Sequence, residues 1–135
     1  MLSRLKFRHF GLAVKDPSQA KVMLETLGYS IGPDVKDDAQ GVFVCEASHK
    51  EHPRVEMIWP LSKPSPIDEV LKKGNGNIYH TCWETSSLAD VLKELEEKEI
   101  AFKEVSSPES APLFSGKKVS FYYIQGFGLI EILES

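Results

Sequence analysis

The sequence predicts an α+β fold built from two tandem βαβββ modules, and three observations support this prediction. Runs of alternating apolar and polar residues, typical of strands, recur along the chain. In each half, the first such run precedes the only long amphipathic helical segment. The first predicted strand of each half carries a histidine, His9 or His80, and these are 71 residues apart. The last strand of a half carries a glutamate, Glu56 or Glu131, and these are 75 residues apart. Such a near-constant offset indicates an internal repeat.

The first module begins with a strand over residues 7–14, whose alternation places His9 on one face with small residues. Asp16 is the predicted N-cap of the helix that follows, because Pro17 occupies the first helical position and a glycine stands at its end. This helix is expected over residues 17–27. Three further strands are predicted at about 29–35, 41–47 and 54–61.

The second module repeats this order, beginning with a strand at 78–84. Ser87 and Asp90 have the spacing of a capping box, which predicts a helix that continues to about Lys98. The remaining strands are expected near 101–106, 118–124 and 128–134.

The whole chain, 1–135, is predicted to be a single domain made of module one (7–61), a connector (62–77) and module two (78–134). The connector should contain a short helix with Ser65 as N-cap, Pro66 at the first helical position and Gly74 after the end.

Composition favours one compact globular protein and argues against nucleic acid and membrane partners. The 135 residues are 41% hydrophobic, enough for one core. The net charge of −4 is well mixed along the chain, which argues against nucleic acid. No apolar run is long enough to cross a membrane, and no secretory signal is visible, so we expect a cytoplasmic protein without a membrane partner. Cys45 and Cys82 lie in apolar runs and should be reduced core thiols.

Four residues on predicted strands are candidate metal ligands: His9, Glu56, His80 and Glu131. Imidazole and carboxylate together suit a divalent ion such as Co, Zn, Ni, Mn or Fe, and ligand type alone does not choose among them. Strand alternation also places Glu131 with Leu129 and Leu133, where an unpaired carboxylate would be costly and a cation would remove that cost. The alternative is a fold that has kept these residues but binds metal weakly.

Several short motifs, which include the candidate ligands, are similar to those of a known family. They are His9-Phe10-Gly11-Leu12-Ala13-Val14, Gln40-Gly41-Val42, Glu56-Met57-Ile58-Trp59-Pro60-Leu61, Ser65-Pro66-Ile67, His80 and Leu129-Ile130-Glu131-Ile132. With them the chain resembles the vicinal oxygen chelate superfamily, which includes glyoxalase I and extradiol dioxygenases, and within it the methylmalonyl-CoA epimerases.

The resemblance implies that the two modules form a curled mixed sheet around a divalent metal, with His9, Glu56, His80 and Glu131 at the ligand positions. It implies an epimerase or isomerase that removes a proton next to a carbonyl, with Glu131 as the catalytic base. An acyl-CoA thioester is the candidate substrate, and a homodimer is expected. The sequence departs from the family where some epimerases carry a second glutamate, since Val44 stands there, and Tyr123-Ile124 replaces a His-Pro pair.

Other functions stay open. A glyoxalase I-like lactoylglutathione lyase would use a similar His/Glu/His/Glu set. An extradiol dioxygenase is less favoured, because its two-His, one-carboxylate iron site leaves Glu56 as an extra ligand. A non-catalytic small-molecule binding module of the resistance type would have no reason to keep a complete ligand set.

Three further features have simple interpretations. His49 and His52 lie in a charged turn and should be solvated. Cys82 is expected to be a buried apolar residue and not a reactive thiol. The proline-rich stretch 106–116 is expected to be irregular with Leu113 and Phe114 exposed, either as a substrate-covering loop or as an ordinary surface connection.

Overall fold

The computed structural model of the protein describes residues 5–135. The strands of this part are β1 (Lys6–Ala13), β2 (Ser30–Asp37), β3 (Val42–Ser48), β4 (Arg54–Pro60), β5 (Asn77–Thr85), β6 (Phe102–Ser110), β7 (Lys118–Ile124) and β8 (Gly128–Glu134). The helices are α1 (Ser18–Thr26), α2 (Asp68–Lys72) and α3 (Leu88–Glu97), and a single 3₁₀ turn spans Pro112–Phe114. The chain divides into two compact units, residues 9–79 and residues 5–8 with 80–135.

In the unit formed by residues 9–79, the strand order is β2-β3-β4-β1. The first three strands run antiparallel and β1 is parallel to β4. Helix α1 covers one face of this sheet, where Leu24 packs with Cys45, Ala47 and Met57. Because side chains alternate along a strand, Glu56 and Ile58 on β4 face away from α1.

The unit formed by residues 5–8 and 80–135 repeats the pattern with the order β5-β8-β7-β6. Strands β5 and β8 are parallel, and β8, β7 and β6 run antiparallel. Helix α3 covers one face through Val91 and Leu95, which pack with Ile130 and Ile132. The βαβββ order therefore occurs twice, and the predicted α+β class is confirmed.

Local capping signals place the two long helices. The predicted N-cap of α1 is one residue too early, because α1 begins at Ser18 and Pro17 is its N-cap, without a side-chain cap bond. The Asp16 carboxylate still accepts a hydrogen bond from the N–H of Ser18, at 2.9 Å, just before the helix. The Ser87 hydroxyl accepts from the N–H of Asp90, at 3.2 Å, which confirms Ser87 as the N-cap of α3. Both contacts satisfy amide groups that the first helical turn leaves without partners.

The connector helix begins later than predicted. Ser65 does not cap it and Pro66 is not its first residue, because α2 begins at Asp68. The Asp68 carboxylate accepts from the N–H of Ser65 at 2.8 Å, and the N–H of Asp68 donates to the Ser65 carbonyl at 3.1 Å. These two bonds close a turn, which delays the helix. Gly74 follows the helix with a φ of +148°, as expected of its terminating role.

The stretch 106–116 is more regular than the sequence predicts. Strand β6 continues to Ser110, with register shifts relative to β7 on the way. It is the edge strand, and Pro108 is tolerated there because an edge strand has one side without ladder bonds. The expected exposure of Phe114 is wrong: Phe114 is buried with Cys82 and other core residues, and Leu113 is partly buried against them.

Cys45 and Cys82 are both free and buried, which confirms that they are core thiols and not a disulfide. Burial raises the pKa of the Cys45 thiol to about 11, so this group is a neutral thiol at physiological pH. Its Sγ donates to the carbonyl of Gly32 at 3.3 Å, beside the irregularity between β2 and β3. Across residues 5–135, none of the helices has the length and apolar character needed to cross a membrane.

Candidate metal centre

His9 and Glu56 form a buried pair in the first unit. They lie on the neighbouring parallel strands β1 and β4, and Gly11 is the register partner of Glu56. His9 and Gly11 share a face of β1, so both functional side chains are on the face opposite α1. The Nε2 atom of His9 lies 3.4 Å from an oxygen of Glu56. Their side chains are 0% and 6% exposed, so little water competes for this contact.

Glu46 adds a second carboxylate to this pair. It lies on β3 directly opposite Glu56, and its carboxylate is 3.7 Å from Nδ1 of His9 and 3.9 Å from Nε of Arg54. Two carboxylates on facing strand positions repel each other unless positive charge or hydrogen-bond donors lie near them. The imidazole of His9 has one ring nitrogen near each carboxylate. Sequence reasoning did not identify Glu46, although it lies two residues beyond Val44 and therefore on the same face of β3.

Val44 stands at the position where the resemblance to the epimerases would place a second glutamate. It is buried, with 5% of its surface exposed, and lies opposite Ile58 of β4. This part of the strand face is therefore apolar. Glu46 is the carboxylate that the same face of β3 presents near His9.

His80 and Glu131 form the corresponding pair in the second unit. They lie on the parallel strands β5 and β8, where Cys82 is the register partner of Glu131. The Nε2 atom of His80 lies 3.1 Å from a carboxylate oxygen of Glu131, a hydrogen-bond distance. The side chains are 0% and 3% exposed. As in the first unit, the pair lies on the sheet face opposite the helix, because Ile130 and Ile132 face α3.

Phe121 is the aromatic neighbour of this second pair. It lies directly opposite Glu131 on β7, and its ring meets the His80 ring edge-on, with centroids 5.3 Å apart. Sequence reasoning did not place Phe121 beside His80. Cys82 lies two residues from His80 but is buried with Phe114 and Val119, which confirms its role as a small apolar residue.

All four predicted ligands are buried: His9, Glu56, His80 and Glu131. Each unit thus has one imidazole and one carboxylate on adjacent parallel strands. Burying carboxylates is costly without a partner, and imidazole with carboxylate is a donor set that suits borderline divalent ions. This buried group of two histidines and two glutamates could hold a metal ion.

The other two histidines lie away from these pairs, in the loop between β3 and β4. The rings of His49 and His52 are 4.2 Å apart, and Tyr29 packs against His49. His52 is exposed and His49 is partly exposed, in agreement with the predicted solvated turn. Nδ1 of His49 accepts from the N–H of Glu51, so this ring helps to close the loop.

Known structures with a similar fold include methylmalonyl-CoA epimerases. The structure of methylmalonyl-CoA epimerase from Mycobacterium tuberculosis has a TM-score of 0.76 at 21% identity, over 95% of this chain and 86% of that one. Hypothetical protein BH1468 from Bacillus halodurans C-125 has a TM-score of 0.78 at 22% identity, over 97% and 94%. A Streptomyces coelicolor methylmalonyl-CoA epimerase variant in complex with 2-nitronate-propionyl-CoA has a TM-score of 0.76 at 16% identity, over 96% and 94%. At such identities the similarity concerns the fold alone.

No curated protein sequence matches this chain. The model of the Glyoxalase/Bleomycin resistance protein/Dioxygenase superfamily matches residues 8–121, which is most of the chain. The predicted glyoxalase-type fold is therefore confirmed, and the chain belongs to the glyoxalase/bleomycin resistance protein/dioxygenase superfamily.

Proposed function

We propose that this protein is a metal-dependent enzyme that removes and returns the proton next to a carbonyl group, acting as an epimerase on a 2-substituted malonyl-type thioester. The observation that carries the proposal is the recurrence of a buried His–Glu pair in each unit, at 3.4 Å for His9 and Glu56 and at 3.1 Å for His80 and Glu131. Two such pairs at equivalent positions of a repeat are difficult to explain by packing, because buried carboxylates are costly.

The proposed ligands are His9, Glu56, His80 and Glu131. The metal is Co, Zn, Ni, Mn or Fe, since imidazole and carboxylate accept all of these ions. A divalent ion held by these side chains would supply Lewis-acid stabilisation of the negative charge that develops on the substrate.

Glu131 is the proposed base. Its carboxylate takes the proton from the carbon next to the thioester carbonyl, the C–H electron pair moves toward the carbonyl oxygen, and the proton then returns to the same carbon. Burial supports this role, because little water reaches the carboxylate to compete with the substrate for it. His80, at 3.1 Å, orients the carboxylate, and Phe121 limits the room in which the His80 ring can turn.

The substrate class is proposed to be acyl-CoA thioesters. Support comes from the fold similarity to methylmalonyl-CoA epimerases, since a variant of one of them forms a complex with 2-nitronate-propionyl-CoA. Val44 adds a specific expectation. Inversion of a carbon centre usually needs groups on both faces of the planar intermediate. With Val44 in place of a second carboxylate, we expect proton exchange with solvent to be faster than net inversion.

The test is proton exchange in deuterated water. The protein is stripped with a chelator, reloaded in turn with Co, Ni, Zn, Mn and Fe(II), and given methylmalonyl-CoA and other 2-substituted malonyl thioesters. NMR follows deuterium incorporation next to the carbonyl, and a chiral assay follows inversion. Glu131→Gln is the test variant, and Glu109→Gln, an exposed residue of β6, is the matched control.

Metal-dependent exchange that Glu131→Gln abolishes and Glu109→Gln retains would support the proposal. Absence of exchange with every metal and every thioester would overturn it. A lactoylglutathione assay on the same samples tests the glyoxalase-type alternative, and turnover there would replace the epimerase assignment.

A further inference from the structure

A groove of about 830 Å³ lies in the first unit, outside the residues assigned to proton transfer. Its walls come from the end of β4, the segment after it and helix α2. Its volume falls within the range of small-molecule and cofactor sites in proteins. The residues on which its chemistry depends are Lys15, Lys63, Lys72, Pro60, Leu61 and Glu69.

The groove has an excess of positive charge that its own carboxylates do not neutralise. Glu69 is paired with Lys72 at 2.8 Å, and Asp68 accepts a hydrogen bond from the N–H of Ser65. Within the described part of the chain, Lys15 and Lys63 belong to none of the ion pairs, and both side chains are exposed at the groove. The lining thus has three lysines against two carboxylates, and two ammonium groups without an ion-pair partner among the described residues, beside one opening, favour an anion with several negative oxygens.

One wall of the groove is apolar. Pro60 and Leu61 are half-buried at the end of β4, and Leu71 of α2 is buried. A ligand with phosphates at one end and a flat apolar ring beside them would use both the lysines and this wall. A site that combines an apolar wall with a few well-placed polar groups is typical of small-molecule and cofactor sites.

The position of the groove relates it to the His9–Glu56 pair. Strands β1 and β4 are parallel, so their carboxyl ends meet at one edge of the sheet. Lys15 follows the end of β1, and Pro60 ends β4. Glu56 and Pro60 are four residues apart on a strand, a distance of about 13 Å. The extended pantetheine arm of coenzyme A is long enough to span such a separation.

The backbone holds this edge in place. The N–H of Lys15 donates to the side-chain oxygen of Asn75 at 2.8 Å, and the N–H of Gly76 donates to the carbonyl of Ala13 at 3.1 Å. The segment after α2 is therefore hydrogen-bonded to the end of β1. Lys15 is presented from an ordered backbone, which reduces the entropy lost when a ligand binds.

We infer that this groove binds the adenosine phosphate end of coenzyme A, with Lys15 and Lys63 contacting the phosphates. The inference rests on the proposed acyl-CoA function and extends it by naming the residues that would distinguish a CoA thioester from a short one. These lysines bind the carrier and take no part in proton transfer.

The test compares Lys15→Ala/Lys63→Ala with Lys103→Ala/Lys117→Ala, a control that removes the same charge from exposed lysines of the other unit. Isothermal titration measures the Kd of free coenzyme A, ATP and inorganic pyrophosphate for each protein. We expect the groove variant to bind coenzyme A roughly tenfold more weakly than the wild type, since two exposed charge contacts are lost. The control should bind like the wild type.

Kinetics provide a second readout. The KM for a CoA thioester should rise in the groove variant without a change in kcat, and the KM for the matching N-acetylcysteamine thioester should not change, because that substrate lacks the nucleotide.

The outcomes separate the groove from the proposed function. Lysine-dependent binding of coenzyme A without any proton exchange would support the groove and overturn the epimerase. Unchanged affinity in the groove variant, or no binding of coenzyme A by the wild type, would overturn the groove even if a short thioester exchanged its proton. ATP or pyrophosphate binding as tightly as coenzyme A would overturn the assignment to coenzyme A, because it would indicate a general phosphate site.

Discussion

The carboxylate of Glu131 lies 3.1 Å from Nε2 of His80 on the neighbouring parallel strand, and both side chains are buried. The arrangement recurs in the other unit, where Glu56 lies 3.4 Å from Nε2 of His9 on the adjacent parallel strand. In both units the pair occupies the sheet face opposite the helix. The repeat therefore duplicates a chemical feature as well as a fold.

Glu131→Gln is expected to abolish metal-induced stabilisation. A ligand that binds only the native state stabilises it by about 2.7 kcal/mol at a hundredfold excess over its Kd. The wild type should therefore show an increase in Tm with at least one of Co, Ni, Zn, Mn and Fe(II), which the amide variant loses. Thermal unfolding of chelator-stripped protein measures this, with Glu109→Gln as the control. Equal shifts in wild type and Glu131→Gln would show that Glu131 is not a ligand.

Glu46→Ala is expected to weaken metal binding by roughly 10- to 100-fold, because carboxylates beside a ligating histidine orient its ring. The basis is the 3.7 Å separation between its carboxylate and Nδ1 of His9. Glu46→Gln, which keeps an acceptor oxygen, should lose less. Metal titrations measure the Kd, and Glu51→Ala, in an exposed loop, is the matched control. Wild-type affinity in Glu46→Ala would remove Glu46 from the site.

The raised pKa of Cys45 predicts that the free energy of unfolding depends on pH. Burial raises its pKa to about 11 from an ordinary value of 9.0, so the folded protein holds this proton more tightly than the unfolded chain. The contribution of the Cys45 thiol to the free energy of unfolding is fully present below pH 9 and is lost as the pH rises to about 11. We expect Cys45 to account for a loss of roughly 1–2 kcal/mol in the free energy of unfolding over this range.

Urea denaturation at pH 8 and at pH 10.5 tests the Cys45 prediction. Cys45→Ala should show a smaller loss between these pH values than the wild type. An equal loss in both proteins would assign the effect to other groups. Native Cys45 should also react slowly with thiol reagents at pH 8, because it is neutral and buried.

Ser87→Ala is expected to destabilise the protein by about 1 kcal/mol, the typical cost of losing an N-cap. The Ser87 hydroxyl accepts from the N–H of Asp90, and alanine leaves that amide without this partner. Ser86→Ala, one residue earlier and exposed, should change the free energy of unfolding far less. Urea denaturation measures both variants. Equal effects would mean that the cap contributes little to the stability of α3.

The elements that the sequence predicted best are those with strong local signals. The start of α3 is capped by Ser87, and the start of α1 lies within one residue of its prediction, beside the Asp16 side chain, because these side chains bond backbone groups two or three residues away. The strands alternate with period two, so His9 and Glu131 could be assigned to a face without tertiary information. The start of α2 and the length of β6 were missed, because a turn at Ser65 and an edge position tolerant of Pro108 depend on neighbours that local patterns do not encode.

The sequence by itself determined the α+β class, the βαβββ repeat and the four candidate ligands, since periodicity and the spacing of the two halves are local or repeated properties. Only the tertiary structure placed Glu46 beside His9 and the Phe121 ring against His80. These contacts depend on the register between strands that are far apart in sequence. Pairing across a sheet is set by hydrogen bonding and packing of the whole unit, and a shift of one residue would have turned each of these side chains to the opposite face.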